Sequence, residues 1–212
     1  LSLLTTGGSG DLELNETEIS AEALATTTIS ATGDLKINEN LLSNTLLDLI
    51  SDNDGLNVGN TNDGDLIIAL GKVVDTQGNN LNIKANDIDL LGSLNTGAAS
   101  LNVLVSDEGD IGLGNTSHDL NLSKGELSRI FTTDLTVGDT TTADIFVNDI
   151  ETADTENISG MIYLKALNDG SKVTFEETES VFKTLDVSTN NGIIVQSNLT
   201  TEIGDLKLEA DL

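Results

Sequence analysis

Apolar residues separated by a single residue recur along the whole chain. The pairs are Leu12/Leu14, Leu35/Ile37, Leu56/Val58, Leu66/Ile68, Leu81/Ile83, Ile88/Leu90, Leu101/Val103 and Ile111/Leu113, then Leu120/Leu122, Leu135/Val137, Ile145/Val147, Ile162/Leu164, Val173/Phe175, Leu185/Val187, Ile193/Val195 and Leu206/Leu208. Successive side chains of a strand point to opposite faces, so each pair puts two apolar groups on one face and a variable residue on the other. The segments between them are rich in Gly, Asn, Asp, Thr and Ser, the residues of tight turns. The pattern predicts many short strands and almost no helix. Within LLSNTLLDLI (41–50), Leu42, Leu46, Leu49 and Ile50 would also share a helical face. There, and in GELSRIF (125–131), the surrounding repetition favours irregular strand and turn, while EALATTT (22–28) is ambiguous.

The spacing of the pairs is informative. Leu12 and Leu35 lie 23 residues apart, Leu35 and Leu56 21, Leu81 and Leu101 20, Leu101 and Leu120 19, Ile162 and Leu185 23, and Leu185 and Leu206 21. A unit of this length with two or three short strands is the size of one turn of a parallel β-helix. A longer repetition lies above it, with LNVGNT, DLII and LNIKA at 56–85 echoed by LTVGDT, DIFV and IYLKA at 135–166. The offsets run from 79 to 85 residues and suggest that a block of about 33–103 was duplicated as 118–187. Gly204-Asp-Leu-Lys-Leu208 echoes Gly33-Asp-Leu-Lys-Ile37 and reads as the start of a third copy. The expectation is a single elongated all-β solenoid over 1–212, with roughly nine or ten coils about 4.8 Å apart. No distinct cap is visible at either end, so the partners expected there are further coils of the same polypeptide or stacked identical subunits. The first and last words, LSLL and DLKLEADL, already read as strand, and the chain opens at Leu1, so a segment of something longer is expected.

Composition agrees. Aromatics make up 2% of the chain, so core volume comes from Leu, Ile, Val and Ala, which suit thin repeated layers. The absence of proline leaves every backbone N–H available for ladders. The net charge of −27 disfavours nucleic acid and anionic membrane surfaces as partners. It favours solubility and a stability that improves with salt. With no cysteine there are neither disulfides nor thiolate metal sites. The longest apolar runs, such as Leu66–Leu70, are too short to span a bilayer as a helix.

The run GDIGLGNTSHDLNLSKGELSRIFTTDLTVGDTTTADIFVNDI (109–150) resembles the repeats of filamentous-haemagglutinin-like exoproteins, the large secreted β-helical proteins of Gram-negative bacteria. The likeness rests on Leu120, Leu122, Ser123, Glu126, Leu127, Arg129, Ile130, Leu135, Val137, Gly138, Asp139, Ile145 and Val147. The glycine that the family places before the last strand is Ala143 or Asp144 here. The stretch 190–211 is similar in style. The resemblance implies a right-handed parallel β-helix, export by a two-partner or autotransporter route, and attachment at a bacterial cell surface or matrix. It brings no catalytic residues.

Candidate chemistry is sparse. His118, the single histidine, is flanked by Ser117 and Asp119, with Ser128 and Arg129 nearby, but neighbours in an extended turn point apart and do not make a triad. A polysaccharide-acting enzyme would need convergent acids with basic residues to hold an anionic substrate, and the chain has one arginine. No cofactor is expected, and calcium is the one candidate. Asp52, Asp54, Asp63 and Asp65 crowd the run SDNDGLNVGNTNDGD (51–65), a set of hard oxygen donors that matches neither an EF-hand loop nor a full G-G-x-G-x-D repeat. The short word GGSGD (7–11) comes near the latter once. No residue is assigned a catalytic, cofactor or metal role. The reading is a structural or adhesive rod segment of a large secreted or cell-surface protein. A self-assembling filament subunit is the alternative, and a β-helical enzyme the outsider.

Overall fold

The computed structural model describes residues 2–4, 10–15, 26–53 and 64–211. The chain is all-β, its strands pair in parallel, and no sheet closes into a barrel. The longest sheet has nine strands in the order Ser2–Leu4, Thr27–Ser30, Leu47–Ile50, Leu81–Ala85, Leu101–Val105, Leu135–Val137, Ile162–Ala166, Leu185–Thr189 and Leu206–Glu209. At about 4.8 Å per strand it runs for roughly 40 Å. A second wall has a four-stranded sheet (Leu12–Leu14, Leu35–Ile37, Leu66–Ile68, Ile88–Leu90) and a five-stranded sheet (Leu120–Leu122, Ile111–Gly114, Ile145–Asn148, Lys172–Phe175, Gly192–Val195). A third wall has four shorter strands, Leu41–Leu42, Val73–Asp75, Ser93–Asn95 and Ile130–Phe131, then the pair Ser180–Phe182 and Leu199–Thr201. From Leu81 to Leu101 the chain touches each wall once and returns to the long sheet one strand further on. Parallel neighbours need such crossovers, and the arrangement is compatible with a β-helix.

Register explains the sequence pattern. In the long sheet Leu47, Leu81, Leu101, Leu135, Ile162, Leu185 and Leu206 are successive ladder partners. Leu49, Ile83, Val103, Val137, Leu164, Val187 and Leu208 form the column beside them in the same register. From Leu47 to Leu185 and from Leu49 to Val187 these side chains are essentially fully buried. Every apolar pair among the described residues lies in a strand, and Leu56/Val58 lies outside them. The third wall was invisible to this pattern because its strands point a single apolar residue inward, as in Ser93-Leu94-Asn95 with Leu94 buried.

Four of the spacings read from the sequence are ladder partners: Leu12 with Leu35, Leu81 with Leu101, Ile162 with Leu185, and Leu185 with Leu206. Two require correction. Leu35 pairs with Leu66, and Leu101 pairs with Leu135. Leu120 belongs to the second wall, where it pairs with Ile111, because the chain makes an extra strand there before returning to the long sheet. The stretch 41–50 forms the strands Leu41–Leu42 and Leu47–Ile50, as expected. GELSRIF differs: one turn of α-helix, Lys124–Leu127, precedes the strand Ile130–Phe131. Ser123 and Glu126 close a capping box around that turn, a start signal that outweighs the surrounding strand pattern. Of EALATTT, Thr27 and Thr28 lie in a strand, and residues 22–25 lie outside the described set.

Leu135→Ala removes a fully buried link between Leu101 and Ile162. It should cost about 2–5 kcal/mol in denaturant unfolding, against under about 0.5 kcal/mol for outward-facing Thr136→Ala.

Candidate functional site

An aspartate stands directly before a second-wall strand at Asp11, Asp34, Asp65, Asp87, Asp110 and Asp144, where the chain enters from the long sheet, and at Asp119, where it follows another strand of the same wall. The carboxylates accept backbone N–H groups from the neighbouring circuit. Asp11 takes the N–H of Asp34 (3.1 Å), Asp34 that of Asp65 (3.1 Å), Asp119 that of Asp110 (3.0 Å), Asp110 that of Asp144 (3.0 Å), and Asp144 that of Lys172 (2.8 Å). All the donors but Lys172 lie outside the strands, and a carboxylate acceptor makes such a bond stronger than a neutral pair. Like charges then repeat up one edge. Lys36 relieves this at one place by bridging Asp11 (3.3 Å) and Asp34 (3.1 Å). Four of these aspartates follow glycine, at Gly10, Gly33, Gly64 and Gly109. At Gly64 a Cβ would lie 2.2 Å from the Gly33 carbonyl oxygen, so the backbones pack too closely there for any side chain. Gly204-Asp205 stands elsewhere: Leu206–Glu209 belongs to the long sheet and Leu35–Ile37 to the second wall, so the Gly-Asp-Leu-Lys echo does not begin a third copy in the same position.

A second corner uses hydroxyls. Thr76, Thr96 and Thr132 are buried on successive circuits. The Thr76 hydroxyl donates to the Asn79 carbonyl. Those of Thr96 and Thr132 both lie 3.0 Å from the Ala99 carbonyl oxygen and 2.7 Å from each other. The walls are thus fastened at their corners by side chains bonded to backbone.

The second wall has one seam. Ile88–Leu90 and Leu120–Leu122 face each other across it but belong to different sheets. Charged side chains take over the backbone's role there. Asp87 accepts the Asn121 N–H (2.9 Å), Glu126 accepts the Leu90 N–H (3.1 Å), and Arg129 donates to the Leu90 carbonyl (3.2 Å). Burial pushes the Asp87 carboxyl up to about 6, the backbone bonds opposing it and the negative Asp65 and Glu126 adding to it.

The residues singled out in the sequence do not converge. His118 lies flat on Phe146, ring centroids 4.0 Å apart and planes within 4°. Asp119 is committed to the Asp110 N–H, Ser128 donates to the Gly125 carbonyl, and Arg129 serves the seam. The 115–119 loop folds over the outer face of Ile111–Gly114, where only glycine fits: a Cβ on Gly112 would lie 2.0 Å from the Thr116 hydroxyl oxygen. Of the calcium candidates, Asp52 is buried with φ 55°, and its N–H donates to the Gly33 carbonyl (3.3 Å). Asp65 accepts the side-chain amide of Asn86 (3.1 Å). Asp54 and Asp63 lie outside the described residues. Asp11 of GGSGD belongs to the aspartate corner. Among the described residues no three acidic or histidine side chains group so as to hold a metal ion. Nor is any helix among them long and apolar enough to cross a membrane.

Along the outer face of the long sheet Thr28, Asp48, Asn82, Asn102, Thr136, Tyr163, Asp186 and Lys207 form one registered column. Asn102 donates to Asn82 (2.7 Å) and Asn82 to Asp48 (2.8 Å), and Lys207 pairs with Asp186 (3.4 Å). At the last strand the core columns emerge. Leu206 and Leu208 are 41% and 43% exposed, although Leu185 and Val187 beneath them are fully buried. On the second wall Val195, beside the buried Phe175, is exposed likewise, whereas Ile194 continues the outward column of Phe146 and Thr174.

Compared with family models, curated proteins and solved structures, the chain matches none.

The Asp87 carboxyl is raised in the folded chain, so its ionised form opposes folding. The penalty is complete above about pH 6 and disappears as pH falls toward the ordinary carboxylate range. Asp87→Asn keeps an acceptor for the Asn121 N–H and removes the charge. With allowance for the part of the group that faces water, it should stabilise the protein by about 1–2 kcal/mol at pH 7. Urea titrations should show this gain shrinking to nothing near pH 4.

Proposed function

We propose that this chain is a structural rod or spacer segment of a large secreted or cell-surface bacterial protein, built as a right-handed parallel β-helix of about nine or ten coils. Its likeness in wording to filamentous-haemagglutinin-like exoproteins over 109–150 points to the same kind of object. The observation that carries the reading is the unbroken nine-stranded parallel sheet, in which two buried apolar columns run in register from circuit to circuit. Stacking of this kind turns sequence repetition into length. Duplication adds support: Leu81 and Ile162, in matching positions of the two blocks, each open a five-residue strand of the long sheet. In this reading function is mechanical. Each circuit adds one strand spacing of length, the aliphatic columns give stiffness, and the acidic outer faces keep neighbouring rods apart.

The same stacking in register supports a second reading, that of a filament subunit pairing with copies of itself through its outermost strands.

Negative-stain imaging of the native secreted material separates the readings. Discrete rods attached to cells are expected for the spacer. Long uniform fibres grown from this chain alone would establish the filament in its place, and compact globular particles would overturn both.

A further inference from the structure

We propose that a notch in the outer face of the long sheet binds a neutral oligosaccharide. The notch arises from strand length. Leu101–Val105 and Ile162–Ala166 each have five residues, but Leu135–Val137 between them has three. Ladder pairing ends at Val103 with Val137 on one side and at Val137 with Leu164 on the other. The middle chain leaves the sheet at Gly138, whose φ of 81° turns it away and whose missing side chain would otherwise strike the Lys165 carbonyl oxygen at 2.4 Å. The result is an open cavity of about 440 Å³ on the outer face, with Leu104 and Gly138 as its apolar part.

The polar lining is held in place and retains bonding capacity. Asn102 spends one amide N–H on Asn82, which is itself anchored to Asp48, so the orientation of both amides is fixed. Among the described residues the Asn102 side-chain oxygen (Oδ1) and the Thr136 hydroxyl have no hydrogen-bond partner, although both residues line the cavity. Asp139 holds the Thr141 N–H and hydroxyl with one carboxylate oxygen and keeps the other open. Lys165 makes no ion pair among the described residues, and its ammonium lies 5.5 Å from the centre of the Tyr163 ring.

Donors and acceptors therefore alternate around an apolar patch. That is the complement of a sugar, whose hydroxyls each donate and accept and whose ring presents a C–H face to an apolar side chain such as Leu104. Asp139 and Lys165 cancel in charge, so the notch favours no ion. The surrounding charge of −27 repels a polyanion, which restricts the ligand to a neutral glycan. The orientation of the amides is fixed before binding, so little ordering cost is left for the ligand to meet. None of this depends on how the ends of the rod are covered.

The test is titration of the whole chain, followed by calorimetry and ¹H–¹⁵N spectra, with β-1,4-linked glucose, β-1,4-linked N-acetylglucosamine and α-1,4-linked glucose hexasaccharides, and with hexagalacturonate as the acidic control. At least one neutral hexasaccharide should bind with Kd of about 1 mM or tighter, moving the amide signals of Asn102, Thr136 and Lys165. Thr136→Trp fills the notch from an outward strand position that tolerates aromatics. It should weaken binding at least about tenfold while leaving the unfolding midpoint unchanged. Asn102→Ala should weaken it less. Failure of all three neutral glycans to bind, equal binding by hexagalacturonate, or unchanged affinity in Thr136→Trp would each overturn the proposal.

Discussion

Everything in this structure depends on parallel strands stacked in register, each hydrogen-bonded to the strand about 4.8 Å above and below. Register forces like onto like. For Leu, Ile and Val this is favourable: Leu47 to Leu185 and Leu49 to Val187 become two continuous buried aliphatic columns. Few large aromatics are needed: Phe175 and Phe182 are the two buried in the core, and Leu, Ile, Val and Ala fill the rest, so a chain with 2% aromatics still buries one. For polar groups the same stacking is a problem with a repeated answer. Outward asparagines chain their amides, Asn102 to Asn82 to Asp48, and corner aspartates receive the amide hydrogens of the next circuit.

The corners decide whether the ladder can turn. A strand wall supplies its own backbone partners, but a bend breaks the pattern and leaves N–H groups without a ladder acceptor. Carboxylates at Asp11, Asp34, Asp110, Asp119 and Asp144 fill that role at one corner, and the buried hydroxyls of Thr76, Thr96 and Thr132 serve another. Much of the strong negative charge is therefore structural. Where the second wall is interrupted, the same chemistry is concentrated in Asp87, Glu126 and Arg129, which stitch two sheets that share no ladder.

How much of this was legible in the sequence follows from the same physics. An apolar pair one residue apart has only one strand reading, so the walls with two inward residues stood out. Leu94, alone between Ser93 and Asn95, gave no such signal, and the third wall was missed. Spacing gave register wherever circuits are of ordinary length, as from Leu81 to Leu101. It failed at Leu101, where the extra strand Leu120–Leu122 and the helical turn Lys124–Leu127 lengthen the path to Leu135. The Ser123–Glu126 capping box was the available clue. The notch could not have been anticipated, because it is made by an absence: a strand of three residues between two of five, visible only once register is known.

The central claim is that corner carboxylates act as surrogate ladder partners, and hydrogen exchange resolved by residue tests it most directly. The amides of Asp34, Asp65, Asp110, Asp144 and Lys172 should exchange as slowly as the adjoining strand amides, although none of the first four lies in a strand. Asp144→Ala should accelerate exchange at Lys172 by at least about tenfold and leave Val103 in the long sheet unchanged, as expected for the loss of one charge-assisted bond. Exchange at these five amides as fast as in open loops, or no response at Lys172 to the loss of Asp144, would contradict the account.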